Sequence, residues 1–139
     1  MTIVTKDITL QTEGNCDITD ITALIEEEIA SSGVSDGTIA IFICGSTAAV
    51  TTIEFEPGLI HDLKETWNRL VPQNILYRHD QAWGDGNGHA HVRAALLGPS
   101  LVIPFVSRKL TLGTWQQIVC VDFDNRHRSR KIVLQIMGE

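Results

Sequence analysis

Within the β-prone run from Thr2 to Thr12, Ile8 and Leu10 alternate with Thr9 and Gln11, the period of a half-buried strand. After Gly14 and Asn15, Asp17 stands as an N-cap before Ile18, Ile21, Leu24, Ile25 and Ile29, whose three- and four-residue spacings predict a helix ended by Gly33. Its Glu26, Glu27 and Glu28 spread around a helical turn and read as a solvated face. Thr38 to Cys44 is too continuously apolar for an edge, so it predicts a central strand running into the small-residue segment from Gly45 to Ala49. Val50 to Glu56 predicts the next strand. Pro57 suits the first turn of a second helix, with Leu59, Ile60, Leu63, Trp67 and Leu70 as its apolar stripe and Pro72 beyond its end. From Tyr77 to His91 the apolar period disappears, which predicts a long irregular loop, followed by a short helix over Val92 to Leu97. Strands are expected over Leu101 to Phe105, Leu110 to Asp122 and Lys131 to Met137. No repeat or linker interrupts this order. The expectation is one α+β domain over residues 1–139, with two main helices on one face of a largely antiparallel sheet.

Charge narrows the range of partners. Eleven Lys and Arg against seventeen Asp and Glu leave a formal charge of -6, the wrong sign for unassisted binding to nucleic acid or an acidic membrane. A small-molecule or protein partner is expected instead. Cys16, Cys44 and Cys120 are odd in number and lack metal-ligand spacing, so they read as core residues of a protein in a reducing compartment. With no basic-then-apolar leader and no long apolar span, the expected location is cytoplasmic.

The densest chemistry lies between Tyr77 and His91. On extended backbone His89 and His91 project to the same side, and His79 can swing in across the glycine turn as a third metal ligand. The alternative is structural hydrogen bonding. Several sharper motifs fail on single residues. Asp85-Gly-Asn-Gly-His89 begins like a calcium loop, but Ala90 replaces the required glycine and Leu96 the bidentate glutamate. Gly84, Gly86 and Gly88 do not form a dinucleotide fingerprint, and phosphate-loop, zinc-deaminase and nucleophile-elbow signatures are all absent.

Two further groups stand out. In an extended segment Arg126, Arg128 and Arg130 share one face, a candidate clamp for a phosphorylated metabolite or else a solvated hairpin tip. Ser46, Thr47, Thr51 and Thr52 precede Glu54, and alternation puts Thr52 and Glu54 on one side, making Glu54 a candidate general base. His61-Asp62 reads as a helix-capping pair. Trp115, within Gly113-Thr-Trp-Gln116, reads as a core ring beside a strand interruption.

The ordered blocks His61-Asp62, His79-Asp80, Gly84-Asp85, His91, Leu97-Gly-Pro-Ser100, Gly113-Thr-Trp-Gln116, Ser129-Arg-Lys131 and Gly138-Glu139 run through nearly the whole chain. Together they resemble the YjbQ-like family. That resemblance implies a compact α+β fold, a homotrimer and a secondary thiamine-phosphate synthase activity, joining a pyrimidine methyl diphosphate to a thiazole phosphate with release of pyrophosphate. It implies that His79, His89 and His91 hold a divalent metal ion (Zn or Mg) or the diphosphate. Arg126, Arg130 and Lys131 take phosphate, Ser46, Thr47, Thr114 and Gln116 complete the substrate site, and Glu54 and Asp85 are the catalytic carboxylates, Glu54 as proton acceptor. Many members resemble His-Thr-[ST] and Asn-Glu where this chain reads Gly45-Ser-Thr47 and Ile53-Glu54, so one imidazole is missing and His89 is its candidate replacement. The competing expectations are a phosphorylated-metabolite-binding trimer without turnover and a metal-dependent hydrolase.

Overall fold

The computed structural model describes residues Met1–Glu139. In chain order the elements are β1 (Thr2–Thr12), β2 (Asp17–Asp20), α1 (Thr22–Ser31), β3 (Gly37–Ile43), β4 (Ala48–Glu54), α2 (Pro57–Leu70), α3 (Arg78–Trp83), α4 (Gly88–Leu97), β5 (Ser100–Val106), β6 (Lys109–Leu110), β7 (Gln116–Asp122) and β8 (Arg128–Gly138). The α+β class is as expected and every strand pairing is antiparallel, but the strands divide into two sheets, β1-β8-β3-β5-β6 and β2-β7-β4.

The apolar run of β3 does occupy the centre of the larger sheet, between β8 and β5. Ile39, Ile41 and Ile43 point into a core with Ile132, Leu134 and Ile136 of β8, Val50 of β4, and Ile118 and Cys120 of β7. Ile21, just before α1, and Ile25 and Ile29 within it fill the same core, and burying each isoleucine contributes about 1.5–3 kcal/mol. The opposite face of the smaller sheet is covered too. Ile18, Ala49, Val119 and Val121 meet Ala90 and Ala94 of α4, with Ile60, Leu63 and Trp67 of α2 packed against them. That double burial explains why β7 reads as a continuous apolar run.

Four expectations are corrected. Asp17 does not cap a helix: Asp17–Asp20 pairs with Val119–Asp122 of β7, because Cys16 and Ile18 follow a period of two into the core. Asp20 takes over the end of α1 instead, its Oδ1 accepting from Thr22 N at 3.0 Å and Thr22 Oγ1 at 2.7 Å. The long strand from Leu110 is broken, since Gly113 to Trp115 form a turn in which Gln116 N donates to Gly113 O. Trp115 is 73% exposed rather than a core ring. Finally, α2 is capped by Glu56, whose carboxylate accepts from Gly58 N and Leu59 N at 2.8 Å each, leaving His61 and Asp62 exposed.

All three cysteines are free. Burial pushes the Cys120 thiol up to about 12, with the Asp122 charge acting the same way and only the Arg130 charge opposing, so it packs as an inert apolar group.

Candidate functional site

The segment expected as a loop is two helices joined by a short turn. Asp80 organises it. Its Oδ1 accepts from Gly88 N at 2.8 Å, satisfying an otherwise unpaired N–H at the start of α4, while Gly84 closes α3 in the left-handed conformation with its N–H on Asp80 O. Gly88, Ala90 and Ala94 are buried, so α4 lies close against β4. The signals for these helices were polar caps and small residues, which a search for apolar periodicity passes over.

Helical geometry separates the paired histidines. Residues two apart on a helix point roughly 200° apart, so His89 and His91 diverge where an extended strand would have aligned them. His89 is 2% exposed and its Nε2 pairs with the side-chain amide of Gln73 at 3.0 Å. Burial lowers its pKa, and the nearby Arg93 charge acts in the same direction, so neutral imidazole is favoured. His79 and His91 do meet, with ring centroids 4.3 Å apart and planes tilted by 40°. The donor set around His79 is completed by carboxylates: its Nδ1 lies 3.4 Å from Asp80 Oδ1 and 3.5 Å from Asp85 Oδ1. The ligand atoms of His79, Asp80 and Asp85 all lie within 4.8 Å of one another. One imidazole nitrogen and two carboxylate oxygens suit a divalent cation such as Zn2+ or Mg2+. These residues fit a metal, whereas His89 faces away from them.

His91 also lines a cleft of about 360 Å³ with Gly45, Ser46, Ala48, Ala94, Ala95 and Pro99. Beneath it lies a buried ionic network. Arg128 and Arg130 share one face of β8, as the alternation predicts, but that face turns inward against aspartates. Arg130 Nε donates to Asp122 Oδ2 at 2.7 Å, and its Nη2 donates to Asp122 Oδ1 at 3.0 Å and Thr47 Oγ1 at 2.6 Å. Thr47 Oγ1 in turn donates to Asp124 Oδ2 at 2.9 Å, and Arg128 Nη2 lies 2.9 Å from the same oxygen. Burial works to raise the Asp124 pKa, but hydrogen bonds from Arg128 and Thr47 and the Arg128 charge outweigh it and hold the carboxyl below its usual range. Two positive and two negative groups cancel here, so the arginine cluster is a structural crosslink more than an open clamp.

The remaining predicted residues disperse. Glu54 is exposed at the far end of β4, roughly 20 Å from Ala48 by strand rise. Gln116 pairs with it in register and donates to Thr52 Oγ1 at 2.9 Å. Thr114 and Gln116 line a separate groove of about 560 Å³ with Asp20, Thr22 and Glu26. Lys131 lies on the outer face of β8, 3.3 Å from Asp7, and Arg126 is exposed at the β7–β8 turn. The sequence pattern gave Asp80 a place in a family block but no role, and it passed over Asp122 and Asp124, although these carry a signal: acids two apart closing an apolar strand, opposite arginines at the same spacing.

No helix is long and apolar enough to cross a membrane. Two antiparallel sheets backed by helices, with a histidine–carboxylate cluster beside a cleft, define the class of fold. A family model described as UPF0047 protein YjbQ-like matches residues 6–139, and the chain belongs to that family. A UPF0047 protein of Archaeoglobus fulgidus is 37% identical over 131 residues, covering 94% of this chain and 99% of its own. Among solved structures, a YbjQ-like protein of unknown function from Sulfolobus solfataricus superposes with a TM-score of 0.93 at 33% identity, over 99% of both chains. A hypothetical protein of Aeropyrum pernix gives 0.90 at 34% identity, over 98% of this chain and 99% of that one.

Proposed function

We propose that the cleft beside His91 binds a phosphorylated small molecule, and that the reaction is a transfer of the thiamine-phosphate synthase type. The observation that carries this reading is the pairing of His79 and His91 at 4.3 Å on the cleft's rim, with Asp80 and Asp85 beside His79. A thiazole ring nitrogen attacks the methylene carbon of the pyrimidine, the carbon–oxygen bond to the diphosphate breaks, and pyrophosphate leaves. Charge develops on the leaving group, which is what imidazole donors and a nearby cation stabilise. His79, Asp80 and Asp85 hold the metal in this reading, and His91 orients the diphosphate.

The working unit is a cytoplasmic homotrimer with each site shared between neighbours. Its support is the outer face of the larger sheet, where Ile3, Phe42, Val102 and Met137 leave 36–67% of their surface exposed beside Pro104. Contiguous exposed apolar surface marks an interface. Sharing also offers Glu54 a role, since within one chain it lies far from the cleft.

The test is an assay of the purified protein with the pyrimidine diphosphate and thiazole phosphate, with and without a divalent cation. Coupled product and pyrophosphate are expected, and His91→Gln and Glu54→Gln should each lower kcat by roughly 100-fold. Subunits of the two variants, mixed and reassembled, should regain activity, because one mixed interface restores both groups. Tight substrate binding without product would overturn the transferase reading in favour of a binding protein, and release of phosphate without the coupled product would favour a hydrolase. Two inactive variants that never complement would remove the shared site.

A further inference from the structure

Buried arginines normally use most of their five N–H donors, because an unmade hydrogen bond in a low-dielectric setting is costly. The Arg130 side chain is only 8% exposed, yet its internal bonds come from Nε and Nη2 alone. Nη1 donates to nothing in the chain. No fully enclosed side-chain polar atom lacks a partner, so Nη1 must reach the outside.

Gly45 lies beside it. Its φ is +127°, a conformation side chains rarely adopt, and a Cβ built there falls 2.6 Å from Arg130 Nη1. Any other residue at this position would cover the amino group or displace it. Gly45 and Ser46 line the cleft together with His91, and the Ser46 hydroxyl is exposed with no bond inside the chain. Asp122 and Asp124 hold the guanidinium rigidly from behind, and their charges are balanced by Arg128 and Arg130 themselves, so the free edge meets no uncompensated carboxylate.

We infer that Gly45 is a specificity-determining gap through which Arg130 Nη1, with the Ser46 hydroxyl and His91, binds one oxygen-rich anionic group, a phosphate or pyrophosphate, without needing a metal ion. This deepens the proposed function, since it assigns the anion end of the substrate to a fixed donor separate from the His79–Asp80–Asp85 cluster. A single preorganised charged donor pair gives selectivity for an oxyanion at little entropic cost.

The experiment uses the full chain in excess chelator. Inorganic pyrophosphate and inorganic phosphate are titrated calorimetrically, and the arginine side-chain signals are followed by nitrogen-15 NMR, with the Arg130 signal assigned from Arg130→Lys. Saturable binding and a shift of the Arg130 signal are expected, and Gly45→Ala should weaken pyrophosphate binding at least ten-fold. Absence of binding at millimolar anion, binding with an unmoved Arg130 signal, or a folded Gly45→Ala that binds as the wild type would each overturn the inference. If Gly45→Ala does not fold, the Arg130 signal in the wild type decides. Anion binding that depends on Gly45 without synthase turnover would sink the proposed reaction and leave this site standing, while turnover with Gly45-independent binding would do the reverse.

Discussion

At the Ala48 end of β4 the buried polar groups are locked to one another, whereas at the Glu54 end they face solvent with few partners. Thr47, Asp122, Asp124, Arg128 and Arg130 form a closed set with a free edge at Gly45. Glu54 and Trp115 are exposed, as is Thr114 in the wider groove, and the Gln116 side chain bonds only to Thr52 and the adjacent turn. One strand therefore joins a preorganised end, costly to alter, to an adaptable one that tolerates change. Preorganised groups can stabilise charge at once, and adaptable ones need a partner to fix them.

The sharpest way to break this comparison is to remove one buried acid. Asp122→Ala removes the two hydrogen bonds that hold the buried Arg130 guanidinium and leaves it only Asp124, 3.8 Å away and already paired with Arg128. Breaking such a pair costs about 3–5 kcal/mol, so urea denaturation should show a large drop in midpoint at unchanged slope. A loss near that of a surface substitution would mean the network is not what holds the two sheets together.

A smaller effect is expected where burial acts on a single titrating group. His89 has its pKa lowered in the folded state, so the unfolded chain takes up a proton first as pH falls. Its contribution to stability is complete above the unfolded value of about 6.5 and is lost as pH falls from there through the folded pKa. His89→Gln cannot charge, and the melting temperature should depend less steeply on pH between about 5 and 7 than in the wild type. The same variant should keep its divalent-cation affinity, because His89 lies outside the His79 cluster. An unchanged pH slope, or lost cation binding, would restore His89 to the site.

How legible these regions were follows from the signals they use. β1 and α2 were readable because their apolar side chains recur with the period of a strand or a helix, and β3 because its apolar run is continuous. The helices over residues 78–97 were not, because α3 and α4 are organised by Asp80 and by small buried residues that carry little hydrophobic signal. That one misjudged backbone also turned His89 from an apparent ligand into a buried residue. Sequence alternation did put Arg128 and Arg130 on a common face, but the sign of what they meet depends on Asp122 and Asp124, brought opposite by the pairing of two sheets. Local pattern shows which face a residue occupies, and only tertiary structure shows what that face touches.

The smallest predicted effect lies at the open end of β4. Trp115 is 73% exposed, so Trp115→Ala removes little apolar area that folding buries, and it should shift stability by no more than about 0.5 kcal/mol. Thermal melts at low protein concentration isolate this intrachain term, since an assembled oligomer would add its own mass-action stabilisation. If the melting temperature of Trp115→Ala matches the wild type when dilute but falls below it when concentrated, the ring is fixed by a neighbouring subunit, and the adaptable end of β4 completes itself by assembly. A loss above 1 kcal/mol in the dilute sample would show instead that the ring packs within its own chain, and the contrast between the two ends of β4 would fail.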